Sequence, residues 1–121
     1  MPAQNEFPVV FEHLRKLLKP FASKLNVKAD TIDTYYLEGH YNEKWGKELF
    51  FGSVQIRKNY VSFYLMPVYM YPDLLKGVSP ELRKHMQGKS CFNFKKVEPQ
   101  LLKELAELTN RGFERFIKEN S

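Results

Sequence analysis

The sequence predicts a single α+β domain, a mainly antiparallel sheet of about four strands with N- and C-terminal helices packed on it. Three observations carry this expectation. The 121 residues suit one compact domain. Hydrophobic spacing runs at a helical period before Lys19, at a period of two after Thr31, and at a helical period again after Pro99. No internal repeat, low-complexity tract or long linker divides the chain. The expected order is α-β-β-β-α-α-β-α.

The first helix is expected over residues 9–25. Val10, Phe11, Leu14, Leu17, Leu18, Phe21 and Leu25 recur at spacings of three and four, with Glu12, His13, Arg15, Lys16 and Lys19 on the other side. Pro8 suits its first turn, and Pro20 should kink it or start a second short turn, because proline supplies no backbone donor. From Thr31 to Leu37 the residues alternate and are rich in β-formers, a first strand. Residues 38–47, with Gly39, Asn42 and Gly46, read as a loop. Glu48 to Arg57 and Tyr60 to Met66 then form a hairpin with Lys58-Asn59 near its tip. The second of these is apolar at both parities, as a strand covered on both faces would be.

Pro67 and Pro72 break the sheet pattern. A short helix is expected over Pro72 to Lys76, ended by Gly77. Ser79-Pro80-Glu81 starts another, with Ser as N-cap and Pro in the first turn, running to about Gln87 and stopped by Gly88. Ser90 to Phe94 reads as the fourth strand, Phe92 and Phe94 on one face, Cys91 and Asn93 on the other. Pro99 opens the long closing helix, with Leu101, Leu105, Leu108, Gly112 and Phe116 as its stripe. Residues 1–5 and 119–121 are expected to be flexible.

Composition narrows the class. Apolar residues are 43% of the chain and aromatics 15%, enough for a core without metal or disulfide. With seven Tyr and ten Phe, some aromatics should line a groove or an interface. One cysteine excludes an internal disulfide. The N-terminus lacks the basic and apolar regions of a signal peptide, and no stretch approaches the ~20 apolar residues of a membrane helix. The expectation is a soluble cytoplasmic protein without membrane contact. The net charge of +5 concentrates in residues 1–28 and 67–97, with five and six basic residues against two acids each. Such regions attract phosphates or acidic partners, and they serve equally as a solubilising surface.

The run Val54-Gln-Ile-Arg-Lys-Asn-Tyr-Val-Ser-Phe-Tyr-Leu65, the segment Gly88-Lys-Ser-Cys-Phe-Asn-Phe-Lys95 and the closing amphipathic helix resemble the YdhG-like family of small bacterial domains. The resemblance spans about the last two-thirds of the chain. One branch of that family is a frataxin-like intracellular iron chaperone, so the resemblance implies iron as an alternative cofactor to none.

Two sets of residues are candidate sites. Tyr60, Tyr64, Arg83, Lys84, His85, Lys89 and Lys95 join a Tyr-rich strand to a basic helix-to-strand turn, a combination suited to an anionic or planar ligand. Asp30, Asp33, Glu38, His40 and Glu43 mix carboxylate with imidazole, the donors an iron site uses, although they match no recognised metal spacing. Gly88-Lys89-Ser90 lacks the second glycine and the following helix of a phosphate-binding loop. No catalytic motif occurs, and Cys91 has no base on its own element. The expected function is a small non-enzymatic binding domain using the first set. The alternatives are an iron chaperone using the second set and a protein-interaction or dimerisation module. The partner is then an unknown small molecule or a protein, with nucleic acid the less expected. Monomer and homodimer both stay open.

Overall fold

In the computed structural model, residues 3–120 are described. They form an antiparallel sheet of five strands in the order β1-β2-β3-β4-β5, with helices against one face. The sequence predicted about four strands. The additional one is β1, Asn26–Asp30, at the sheet edge. Its side chains are half-buried or exposed, so it shows no apolar alternation and is held by backbone pairing to β2.

Helix α1, Ala3–Leu18, starts earlier than expected because Phe7 extends the buried stripe of Val10, Phe11, Leu14 and Leu18 by one turn. Pro8 therefore lies inside α1 and not at its start. A 3-10 helix, Lys19–Lys24, follows at Pro20, the second short turn that proline calls for. The first helix begins at Ala3 and the last ends at Asn120, so much of the two ends expected to be flexible is helical. Residues 1, 2 and 121 lie outside the described residues.

Thr31 to Asp33 form the turn into β2 rather than a strand, with Thr31 Oγ1 donating to Asp33 Oδ1 at 3.0 Å and Ile32 91% exposed. Strand β2, Thr34–Asn42, instead runs on through the predicted loop, because β3, Lys47–Ile56, pairs with it as far as Asn42. Glycines at 39 and 46 suggested a loop. In fact Gly39 is buried, and a Cβ there would come within 2.9 Å of the Phe116 ring. The β2–β3 register shifts beside Leu37, pairing Leu37 with Gly52 and Glu38 with Phe50. This bulge turns Phe51 into the core, where it meets Phe113 and Phe116 edge-on.

Strand β4 is Val61–Leu65 and β5 is Cys91–Phe94. Val61, Phe63, Leu65, Phe92 and Phe94 are buried beneath the helices. The opposite face carries Tyr36, Phe50, Gln55, Tyr64, Cys91 and Asn93, each only partly buried. Coverage of β4 on both faces is thus corrected to one. Its second apolar parity is the single residue Tyr64 beside Ser62.

Between these strands come α2, Met66–Met70, a 3-10 helix at Pro72–Leu75, and α3, Pro80–Arg83. Helix α3 stops at Arg83, four residues short of the expected end. The chain turns there and His85 to Gln87 pair with β5, Asn93 N donating to His85 O at 2.8 Å and Gln87 N to Cys91 O at 2.9 Å. Gly88, at φ 83°, makes the tight return into β5 and not a helix stop. Ser79 caps α3 as expected: its Oγ accepts from Leu82 N at 3.2 Å and donates to Glu104 Oε1 at 2.6 Å. Glu104 lies on α4, Pro99–Asn120, so the cap also ties the two helices together.

Candidate functional site

The turn after α3 builds a groove of about 670 Å³. Tyr60, Lys84, His85, Asn93, Lys95 and Lys96 line it, together with Glu98. They come from three pieces of local structure: Tyr60 from the β3–β4 hairpin, Lys84 and His85 from the turn that ends α3, and Asn93, Lys95, Lys96 and Glu98 from β5 and its exit. The sequence reading anticipated Tyr60, Lys84, His85 and Lys95 as one site, and the fold brings these four together. Lys96 belongs with Lys95 to the same basic turn in the sequence and also lines the groove. Asn93 and Glu98 were missed as site residues, although Asn93 was placed on the face opposite Phe92 and Phe94.

His85 is the fixed point of the groove. Its ring stacks on Phe94, centroids 4.6 Å apart at 16°, and Phe94 is buried. Nδ1 lies 2.8 Å from the Asn93 carbonyl oxygen and Nε2 3.1 Å from Glu98 Oε2. Both neighbours are acceptors. A neutral ring carries one N–H and so donates to one of them. Three exposed ammonium groups remain against that one paired carboxylate among the described residues of the groove. An adjoining cavity of about 580 Å³ shares Lys84, His85, Lys96 and Glu98 and extends toward Gln100 at the start of α4.

The other three members of the first set stand elsewhere. Tyr64 lies on the open sheet face and its hydroxyl accepts from Arg57 Nη2 at 3.1 Å. Arg83 Nη2 donates to the Leu75 carbonyl at 2.6 Å. The Lys89 ammonium sits 5.8 Å from the Tyr69 ring centre.

The acidic set does not converge. Asp30 pairs with Arg15, 3.1 Å from Nη2 to Oδ1. Asp33 accepts from the hydroxyls of Thr31 and Thr34 in the β1–β2 turn. Glu38 faces Lys28 at 4.0 Å. His40 and Glu43 share a separate cavity of about 490 Å³ whose floor includes Leu25, Leu49 and Phe116. Among the described residues, no group of three or more His, Cys, Asp or Glu side chains is placed to hold a metal ion.

Cys91 is half-buried on the open face, where its thiol donates to Asn93 Oδ1 at 3.3 Å. Burial pushes its pKa above the ordinary thiol value, the opposite of what a nucleophilic cysteine needs. No helix among the described residues is long and apolar enough to cross a membrane. Comparison with protein-family models, curated proteins and solved structures found no match for this chain.

Proposed function

We propose that this protein is a binding module for a multiply charged anion, held in the groove between Tyr60, Lys84, Lys95 and Lys96. One observation supports the reading above all. Lys84 from the turn after α3 and Lys95 and Lys96 from the exit of β5 place three ammonium groups around one cavity, against one carboxylate, Glu98, which lies 3.1 Å from His85 Nε2.

Magnitudes select the class of ligand. A lysine exposed to water gains only about 1 kcal/mol from an anion at 4 Å, so a monoanion is held weakly. An anion spanning several lysines gains from each, and Tyr60 supplies a ring for a planar part of the ligand. Membership of the YdhG-like family and a cytoplasmic location are part of the same proposal, on the residues that carry the resemblance.

Calorimetry with pyrophosphate tests it. Binding is expected at low salt and should fall at least several-fold in the K95Q/K96Q double variant, whose fold is unaffected because both side chains are exposed. Binding that is absent, or unchanged in that variant, contradicts the proposal.

A further inference from the structure

We infer that the anion is a single-stranded nucleic acid, its phosphates along Lys84, Lys95 and Lys96 and its bases stacked on the open face of the sheet. The inference rests on the anionic-groove reading and adds the neighbouring surface to it.

Strand register places the open-face residues in two rows. Ala29, Tyr36, Ser53, Tyr64 and Cys91 are successive cross-strand partners, and so are Thr34, Gln55, Ser62 and Asn93. The first row carries the rings of Tyr36 and Tyr64. Phe50 joins it, its ring 4.8 Å from that of Tyr36. The second row is polar and leads into the groove, because Asn93 lines the groove and donates to Gln87 Oε1 at 2.7 Å. Platform and groove are therefore one continuous surface.

The shape of this face favours a chain of bases over a small molecule. Ser53 and Ser62 are only 1% exposed although they point away from the core, so larger neighbours close over them and leave no slot. What remains is a platform carrying Tyr36, Phe50 and Tyr64, each partly exposed. Tyr36 and Tyr64 stand two strands apart, about 10 Å at the usual strand spacing, more than one base covers. The platform thus suits at least two bases.

The chemistry agrees with the shape. Aromatic faces accept any base, and cations beside them neutralise the backbone. Arg57 Nη2 reaches the Tyr64 hydroxyl at 3.1 Å, which adds a cation to the aromatic row. The amides are bonded within the protein: Ser62 Oγ donates to Asn93 Oδ1 at 2.8 Å, and Asn93 donates to Gln87. They present no free code for base edges, so the expected binding tolerates sequence.

The test is fluorescence anisotropy with a labelled oligouridylate of about twelve nucleotides, within the usual site sizes of single-strand binders. Binding should weaken with salt at a log–log slope near −2, roughly −0.7 for each of three lysine contacts. In K95Q/K96Q the slope should flatten by about 1.4. Tyr64→Ala should weaken binding roughly 5- to 150-fold, the usual cost of one lost base stack. Tyr64→Phe should retain the stack, and Tyr36→Leu gives a second measure of the row, with circular dichroism reporting the fold of each variant.

Three results overturn the inference. In the first, pyrophosphate binds at the lysines but the oligonucleotide binds no tighter, and folded Tyr64→Ala matches the parent; the groove reading then survives alone. In the second, neither ligand binds, and both proposals fall. In the third, the chain is a dimer that buries Tyr36 and Tyr64 and takes up no oligonucleotide, so a second copy owns the face.

Discussion

Residues 84–96 and residues 30–43 are stretches of similar length, each with several chemically competent side chains, and the fold treats them oppositely. The first doubles back. It leaves α3, bridges to β5, turns at Gly88 and returns, so Lys84 and Lys95 line one groove although eleven positions apart. The second runs out along a strand. Extended chain advances about 3.3 Å per residue and alternates its side chains, so consecutive ligands separate in distance and in face. Glu38 lies on the open face, while His40 and Glu43 reach the far end of β2 and the cavity beside α4. The reversal at Gly88 gathers its flanking side chains into one groove, whereas the turn at 31–33 leaves Asp30 on Arg15 and Asp33 on the threonine hydroxyls beside it.

Substitutions sharpen this contrast, beginning with the scaffold under the groove. Phe94 is fully buried and stacks on His85, so Phe94→Ala should cost about 3–5 kcal/mol and release the imidazole. Thermal unfolding measures the loss. Ile32→Ala, in the exposed turn of the acidic stretch, should change stability by no more than about 0.5 kcal/mol. Ser79→Ala removes the cap of α3 and one bond to Glu104, an expected cost of about 1 kcal/mol in denaturant unfolding. It should also lower anion affinity, because Lys84 and His85 follow directly on that helix. Asp30→Asn breaks the pair with Arg15, which is partly exposed, and should cost at most about 1 kcal/mol while leaving anion binding unchanged.

The smallest effect concerns Cys91. Burial raises its pKa, so less thiolate is present at pH 8 than for a free cysteine. Alkylation by iodoacetamide should be slower than for a free thiol and should accelerate as pH rises. A rate above the free-thiol rate at neutral pH contradicts the burial of this thiol.

Much of the fold was legible because burial writes itself into spacing. The stripes of α1 and α4, the β3–β4 hairpin, the Ser79 cap and the faces of β5 all follow from apolar period or turn chemistry. Strand β1 was illegible for the converse reason, since an edge strand that buries little has no apolar signature. Gly39 misled because it mimics a loop residue, whereas its need is close approach to Phe116, a tertiary fact. At the site, Tyr60, Lys84, His85 and Lys95 were legible as a basic and aromatic neighbourhood. The partnership of His85 with Glu98 was not, because it depends on the turn that ends α3 at Arg83.

The most direct test of the central claim, a basic groove built by a chain reversal, is an amide-resolved NMR titration with pyrophosphate. Shifts are expected at Tyr60, at Lys84 to Gln87 and at Asn93 to Glu98, with residues 30–43 unmoved. Shifts centred on residues 30–43, or none in the groove, would contradict it.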